Sequence, residues 1–237
     1  MWNDEFDGPS LDINKWSLRI PGPRVGGFNT DQNAKLDGQG NLVITVKRET
    51  PDKITTAMLS TDGKYAARYG YYECRVKLQK KAGDWTAFWL QSPTTQVVGD
   101  TRKNGTEIDI YEYSIPMANQ TMSNLHWYGY GKDHKTTGQR YDVAGLSEGY
   151  HVFGCEWLPD RYRFYTDGKL MYETTQAPSD HPEYIILSAE VPIQGTKHWA
   201  GPSADFQGED AVSFDYVRVY QTPAQKAMNA VLPGHDS

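Results

Sequence analysis

The stretch NGTEIDIYEYS, residues 104–114, places three acidic side chains in an otherwise apolar and aromatic run. Successive side chains of a β-strand alternate between two faces, so Glu107 and Asp109 share one face, and Ile108 and Ile110 turn to the core. Glu112 lies three residues past Asp109 and joins the same face only if a β-bulge at Ile110–Tyr111 adds one residue to the strand. The stretch therefore predicts a bulged strand with a row of three carboxyl groups on one surface.

Such a row has a chemical use. Retaining glycosidases need two carboxyl groups about 5–5.5 Å apart, and side chains at i and i+2 of a strand are ~6.5–7 Å apart at the backbone, so Glu107 and Glu112 can converge around Asp109. Mutual repulsion raises the pKa of at least one carboxyl above its ordinary value of about 4, so that group can hold a proton for donation. A solvated strand face, or a site for a hard cation such as Ca²⁺, would show the same pattern. The pattern by itself leaves these alternatives open.

The segments around this stretch are short, rich in β-branched or aromatic residues, and mostly alternate in polarity. They are separated by turn sequences such as DGQGN, STDGK, LPDR and TDGK. Helical periodicity is weak and falls near TPAQKAMNAVL, after the last predicted strand. We therefore predict an antiparallel all-β sandwich or barrel, with one domain over residues 1–221 and a tail or short helix over residues 222–237.

The composition limits the kinds of partner that the protein can be expected to bind. The net charge is −6 and basic residues do not cluster, which argues against a nucleic-acid partner. No apolar run reaches the length of a membrane span, so we expect no membrane insertion. The chain contains 7 Trp, 16 Tyr and 7 Phe, and their flat faces suit either sugar rings or a sandwich core. Alternation turns Cys74 and Cys155 toward the apolar side, which favours buried free thiols, with a disulfide as the alternative.

The chain resembles glycoside hydrolase family 16 along almost its whole length. The resemblance is carried by WNDEFDG, GYYECRVKL, WTAFWLQS, EIDIYE, HVFGCEWLPDRYRFYTDGK and FDYVRVYQ, in this order. It implies a concanavalin A-like jelly-roll β-sandwich of two antiparallel sheets with a concave substrate cleft, and endo-action on polysaccharides with retention of configuration. By this resemblance Glu107 matches the nucleophile, Asp109 its assisting residue and Glu112 the general acid/base. The extra residue Tyr111 matches the bulged, laminarinase- and agarase-like members.

The resemblance also suggests residues that bind substrate or metal. Cleft-facing or sugar-stacking positions of the family match Asn33, His126, Trp157 and Tyr165. Alternation along WTAFWLQS places Trp85 and Trp89 on one side of the strand, where they would line the cleft floor, with a position in the core as the alternative. Glu190, in ILSAEVP, stands where several glucanases have a small or aromatic residue, and so departs from the laminarinase pattern. A structural Ca²⁺ of the family matches Glu5, Gly40 through its carbonyl, and Asp215.

The leading hypothesis is a secreted, periplasmic or cell-surface endo-β-glycanase that cleaves internal β-1,3 or β-1,4 bonds of a neutral glucan or galactan and needs no cofactor for catalysis. We expect a monomer whose export signal is not in this chain. The alternatives are a lectin-like carbohydrate-binding module without hydrolysis, and a transglycosylase that shares the covalent intermediate. A sulfated substrate would require basic residues in the cleft, for which Arg19, Arg24 and Arg68 are the candidates.

Overall fold

A computed structural model describes residues 1–230 of the protein. Its first ten strands are β1 Trp2–Asp4, β2 Ser17–Leu18, β3 Gly22–Arg24, β4 Gly27–Asn29, β5 Ala34–Leu36, β6 Leu42–Thr50, β7 Lys53–Thr56, β8 Met58–Ser60, β9 Ala66–Ala67 and β10 Gly70–Lys77. The later strands are β11 Trp85–Gln91, β12 Glu107–Tyr113, β13 Gln120–Trp127, β14 Lys135–Asp142, β15 His151–Trp157, β16 Tyr162–Thr166, β17 Lys169–Thr174, β18 Glu183–Glu190 and β19 Glu209–Tyr220.

Helices are short. The α-helices are α1 Thr101–Asn104 and α2 Pro223–Ala230, and single 3₁₀ turns cover Asp31–Asn33, Ile115–Met117 and Ser203–Asp205. Helix α2 covers part of the predicted tail, and the rest of that tail, residues 231–237, lies outside the described residues. No helix within residues 1–230 is long and apolar enough to cross a membrane.

The strands form two sheets packed face to face as a jelly-roll sandwich. The eight-stranded sheet runs β14-β13-β12-β11-β18-β8-β2, with β9 paired to β18. The eleven-stranded sheet runs β17-β16-β15-β10-β19-β6-β7-β4-β3, with β1 on β19 and β5 on β6. Every pairing is antiparallel except the short β4–β7 pair, which is parallel. The predicted all-β fold is confirmed, and it is the open sandwich rather than the barrel.

The core lies between the two sheets and follows from alternation. In β10, Tyr72, Cys74 and Val76 are fully buried while the residues between them are part-exposed. Cys74 and Cys155 are both buried and free, so the thiol interpretation is confirmed and the disulfide alternative is wrong. The eight-stranded sheet buries one face in this core, which leaves its other face to carry polar side chains.

The predicted bulge is present in β12. Pairing with β13 runs through Asp109↔Asn124 and resumes at Glu112↔Met122, with a register shift between Asp109 and Glu112. Tyr111 is fully buried in the core and stacks on Phe153 of the opposite sheet, with ring centroids 4.4 Å apart. The extra residue thus turns inward, and Glu112 comes to the same face as the other two acids.

Candidate active site

The three acids line one cleft on the outer face of the eight-stranded sheet. The cleft has a volume of about 660 Å³, and Glu107, Asp109 and Glu112 all contribute to its wall. Glu107 and Asp109 are each 4% exposed. A row of nearly buried carboxyl groups is costly unless donors or protons stabilise it, so the neighbours of each acid decide what it can do.

Of the three acids, Glu107 accepts the most hydrogen bonds from neighbouring side chains. Gln91 donates its Nε2 to Glu107 Oε2 at 2.5 Å, and the hydroxyl of Tyr130 donates to Oε1. The amide of Gln91 is itself oriented, because its Oε1 accepts from Arg19 Nη2 at 2.6 Å and from the Tyr184 hydroxyl at 3.0 Å. A carboxylate that accepts two such bonds is stabilised in its charged form.

The other two acids have fewer donors. Asn124 donates its Nδ2 to Glu112 Oε2 at 2.7 Å. His126 Nε2 lies 3.3 Å from Asp109 Oδ2, and its Nδ1 lies 2.9 Å from His134 Nε2. His126 is therefore in the cleft, beside a carboxyl, as the sequence predicted.

Burial raises the pKa of all three acids. The pKa of Glu107 rises to about 7, because burial and the charge of Asp109 outweigh the bonds from Tyr130 and Gln91. The pKa of Asp109 rises to about 8, through burial and then the charge of Glu190. Burial and Asp109 raise the pKa of Glu112 well above its ordinary value. The raised pKa of Glu112 favours its protonated form, and the two hydrogen bonds on Glu107 favour its anion, so the row can offer one acid and one anion together.

Several predicted substrate-binding residues line the same cleft. Trp85, Trp89 and Glu190 join His126 there. Trp89 is held by its Nε1, which donates to Ser188 Oγ at 3.1 Å, and Glu190 Oε2 accepts from Arg24 Nε at 2.9 Å. Strand alternation on β11 therefore predicted the positions of Trp85 and Trp89 in the cleft, and the family resemblance drew attention to Glu190 on β18.

Three other predictions of substrate contact are wrong in position. Trp157 is fully buried in the sandwich core, where its Nε1 donates to the Ser179 carbonyl, because it shares the inward face of β15 with Cys155. Tyr165 follows the inward-facing Phe164 on β16, so it points outward from the other sheet, edge-on to Tyr71. Asn33 is buried in a 3₁₀ turn, donating to the Thr45 carbonyl, and does not line the cleft.

The sequence interpretation missed several cleft residues. Gln91 follows Trp89 by two on β11, and Asn124 precedes His126 by two on β13, so alternation could have found both. Tyr130, His198 and Trp199 come from connections between strands, and no local pattern predicts where such side chains point. His198 and Trp199 pack around Trp85, with ring centroids 4.8 and 6.0 Å from it, and form an aromatic wall of the cleft.

The residues proposed for calcium do not form an open oxygen site. Both carboxylate oxygens of Glu5 accept from Arg218, at 2.9 and 2.8 Å, and Asp215 Oδ2 accepts from Arg75 Nη1 at 2.6 Å. An ion would have to displace two arginines to reach these oxygens, so the arrangement does not fit calcium. Calcium binding stays a prediction, with this geometry against it.

A second possible cation site involves the acidic row. Glu107, Asp109 and His126 bring one possible ligand atom each to within 4.8 Å of the others. Both oxygens of Glu107 already accept hydrogen bonds, and Asp109 faces a histidine nitrogen. These contacts satisfy the acids through protein donors, and catalysis without a metal stays a prediction.

Comparisons with known proteins agree on one family. A family model described as Beta-porphyranase A-D, GH16 domain, matches residues 2–222. Beta-glucanase of Rhodothermus marinus is 30% identical over 254 residues, covering 93% of this chain and 84% of that protein. Glucan endo-1,3-beta-glucosidase A1 of Niallia circulans is 26% identical over 260 residues, and the chain spans 37% of its length.

Solved structures give the same result. The catalytic domain of an endo-1,3-beta-glucanase (laminarinase) from Thermotoga petrophila RKU-1 matches with a TM-score of 0.80 and 29% identity, covering 94% of this chain and 97% of that one. The sandwich, its open cleft and the matched family model define an endo-acting glycoside hydrolase of β-linked polysaccharides. The chain belongs to glycoside hydrolase family 16.

Proposed function

We propose that the protein is a retaining endo-β-glycanase in which Glu107 is the nucleophile, Glu112 the general acid/base, and Asp109 the group that tunes them. The observation that supports this most directly is the bulge in β12, which brings all three acids to one cleft wall. A regular strand would have turned Glu112 into the core. The bulge therefore interrupts the regular pairing of β12 with β13 and places Glu112 beside the other two acids.

The reaction proceeds by two displacements. Glu112 protonates the glycosidic oxygen of the leaving sugar while Glu107 attacks the anomeric carbon and forms a glycosyl ester. Glu112, now ionised, takes a proton from the incoming water, which attacks the same carbon and releases Glu107. The donors on Glu107 hold its attacking oxygen in place, and the buried surroundings of Glu112 keep its proton available.

For the substrate we propose a β-linked galactan that carries anionic groups such as sulfate. The matched family model is described as a beta-porphyranase model, and two of the three arginines considered from sequence, Arg19 and Arg24, line the cleft. Arg68 lines a different cavity, 930 Å³ in volume. Glu190 holds the guanidinium of Arg24 through its Nε, which leaves the terminal nitrogens free to face a sugar substituent.

A polysaccharide panel tests the substrate. Porphyran, agarose, laminarin, lichenan and carrageenans would be incubated with the enzyme and the oligosaccharide products sized. We expect the highest rate on porphyran, and we expect Arg24→Ala to lose more activity there than on an uncharged galactan. Equal or higher rates on laminarin or lichenan would contradict the galactan proposal while leaving the mechanism intact.

Variants of the acidic row test the roles. We expect Glu107→Ser and Glu112→Gln each to lower kcat by a factor on the order of 10³ or more with substrate binding retained. Glu156→Gln, on the outer face of the other sheet, is the matched control and should keep wild-type activity. A Glu107→Ser enzyme with near-wild-type turnover would overturn the assignment.

We also propose that the protein acts as a monomer after export from the cytoplasm, since its polymeric substrates are too large to enter cells. Size-exclusion chromatography with light scattering tests the monomer, and immunodetection in fractionated cultures tests export. A dimer mass, or protein confined to the cytoplasmic fraction, would contradict these points.

A further inference from the structure

The turn that joins β13 to β14, residues 128–134, brings two more side chains to the acidic row. The Tyr130 hydroxyl bonds Glu107, and His134 Nε2 lies 2.9 Å from His126 Nδ1. The rings of His126 and His134 are almost parallel, at 10°, with centroids 5.1 Å apart, and Tyr130 packs within 4.9 Å of His134. His134 does not line the cleft, so its effect on the reaction must pass through His126, which it bonds, or through Tyr130, which it packs against.

Hydrogen-bond chemistry links the three groups Asp109, His126 and His134. Above about pH 8, where Asp109 is ionised and can only accept, its contact with Nε2 favours a neutral His126 with the proton on Nε2 and a bare Nδ1. A bare Nδ1 needs a donor, and His134 supplies one if its own proton is on Nε2. Partial burial lowers the pKa of His134, which favours the neutral ring that this arrangement needs.

We propose that His134 is a positioning residue that fixes the tautomer of His126 in which Nε2–H points at Asp109. This inference rests on the proposed catalytic role of Glu107, Asp109 and Glu112. Without a donor at Nδ1, His126 is free to move its proton there. Its bare Nε2 would then face the Asp109 carboxylate, and two lone pairs would oppose each other. Asp109 would bind a proton more readily, and the proton shared along the row would be redistributed.

The groups around this chain make it sensitive to such a change. Glu107 and Glu112 flank Asp109 on β12, Tyr130 covers it from the turn, and Glu190 faces it from β18 with Arg24 as partner. Four acids, Glu107, Asp109, Glu112 and Glu190, thus share this cleft with Arg19, Arg24 and His126. The direction of a single N–H bond is therefore enough to alter which acid holds the proton.

Two readouts test the proposal with His134→Ala, His134→Phe and His134→Gln. The first is the ring-nitrogen spectrum of His126 by long-range ¹H–¹⁵N NMR at about pH 9, where Asp109, with a pKa of about 8, is ionised. We expect the wild type and His134→Gln to show Nε2–H with bare Nδ1, because the glutamine amide can also donate. His134→Ala and His134→Phe should show a mixture of tautomers, and an unchanged spectrum in both would overturn the proposal.

The second readout is the pH dependence of kcat/KM. We expect Ala and Phe at position 134 to lower kcat on the order of tenfold with KM little changed. The acidic limb should move to lower pH, because a protonated Asp109 no longer raises the pKa of Glu107, and Gln at position 134 should restore both. Lys132→Gln, exposed in the same turn, is the control. A loss of activity without a shift of the acidic limb, or one that Gln at position 134 does not restore, would mean that His134 has a structural role only and would overturn the proposal. The NMR result needs no substrate, so it is independent of whether Glu107 is the nucleophile.

Discussion

At the scale of single residues, the contacts of Glu107 explain how a buried carboxylate remains a usable nucleophile. Burial alone would keep it protonated, but the donors Gln91 and Tyr130 favour the anion and bring its pKa to about 7. Arg19 contributes at one remove, because it orients Gln91. The ionisation of the Glu107 carboxyl group therefore depends on residues from three different parts of the chain.

Tyr130→Phe tests this account of Glu107. The change keeps the ring packed against His126 but removes a donor to the charged carboxylate, so the pKa of Glu107 should rise. Glu107 would then ionise only at higher pH, and the acidic limb of kcat/KM should move upward, with a larger loss of activity at pH 6 than at pH 9. Tyr128→Phe, whose hydroxyl bonds the Gly99 carbonyl instead, is the control and should leave the limb in place. An unmoved limb in Tyr130→Phe would count against the role of this bond.

At the scale of elements, the strand that carries the acids is anchored at its start by another buried acid. Glu183, at the start of β18, accepts from the Thr106 amide at 2.9 Å and from Ser179 Oγ at 2.8 Å. It is fully buried, and burial raises its pKa from 4.5 to about 8. The neutral acid thus joins β18 to the first residues of β12, next to Glu107.

Glu183→Gln should change how stability depends on pH. Below pH 4.5 the acid is protonated in both the folded and unfolded states, and from 4.5 to about 8 the folded state retains a proton that the unfolded state has lost. Stability of the wild type therefore falls through this window as pH rises, and the neutral glutamine removes that contribution. We expect the Tm of the variant, relative to wild type, to increase between pH 4.5 and 8 in thermal scans. A constant difference across the window would show that Glu183 does not titrate as described.

At the scale of the whole molecule, an ion pair joins the first and last strands of the described residues. Strand β1 pairs with β19, and Arg218 of β19 holds Glu5 just after β1. Arg75 likewise holds Asp215 from the neighbouring strand. Both pairs are about one-third exposed, so each contributes modestly to stability, on the order of 0.2–1 kcal/mol.

These ion pairs predict that the fold does not depend on calcium. We expect the Tm to be the same in EDTA and in millimolar Ca²⁺, because arginine nitrogens already occupy the oxygens an ion would need. Differential scanning fluorimetry makes the comparison, with Arg218→Gln as the variant that frees Glu5. A wild-type Tm that rises with calcium would contradict this and would restore the calcium site inferred from sequence.

The sequence predicted what depends on alternation and missed what depends on long-range packing. Alternation placed the row of acids, Trp85 and Trp89 correctly, because each lies in a strand of the cleft sheet. It also implied that Trp157 shares the buried face of Cys155, and the family resemblance wrongly suggested the cleft instead. The side chains of Tyr130, His134 and Trp199 reach the site from connections, whose paths are set by tertiary contacts rather than by local pattern.

The configuration of the first product tests the central claim most directly. The substrate identified by the panel would be hydrolysed in an NMR tube, and the anomeric proton of the new reducing end would be followed before mutarotation. Attack by Glu107 followed by water inverts the carbon twice, so the β-anomer should appear first. Initial formation of the α-anomer would mean a single displacement and would contradict the assignment of Glu107 as nucleophile.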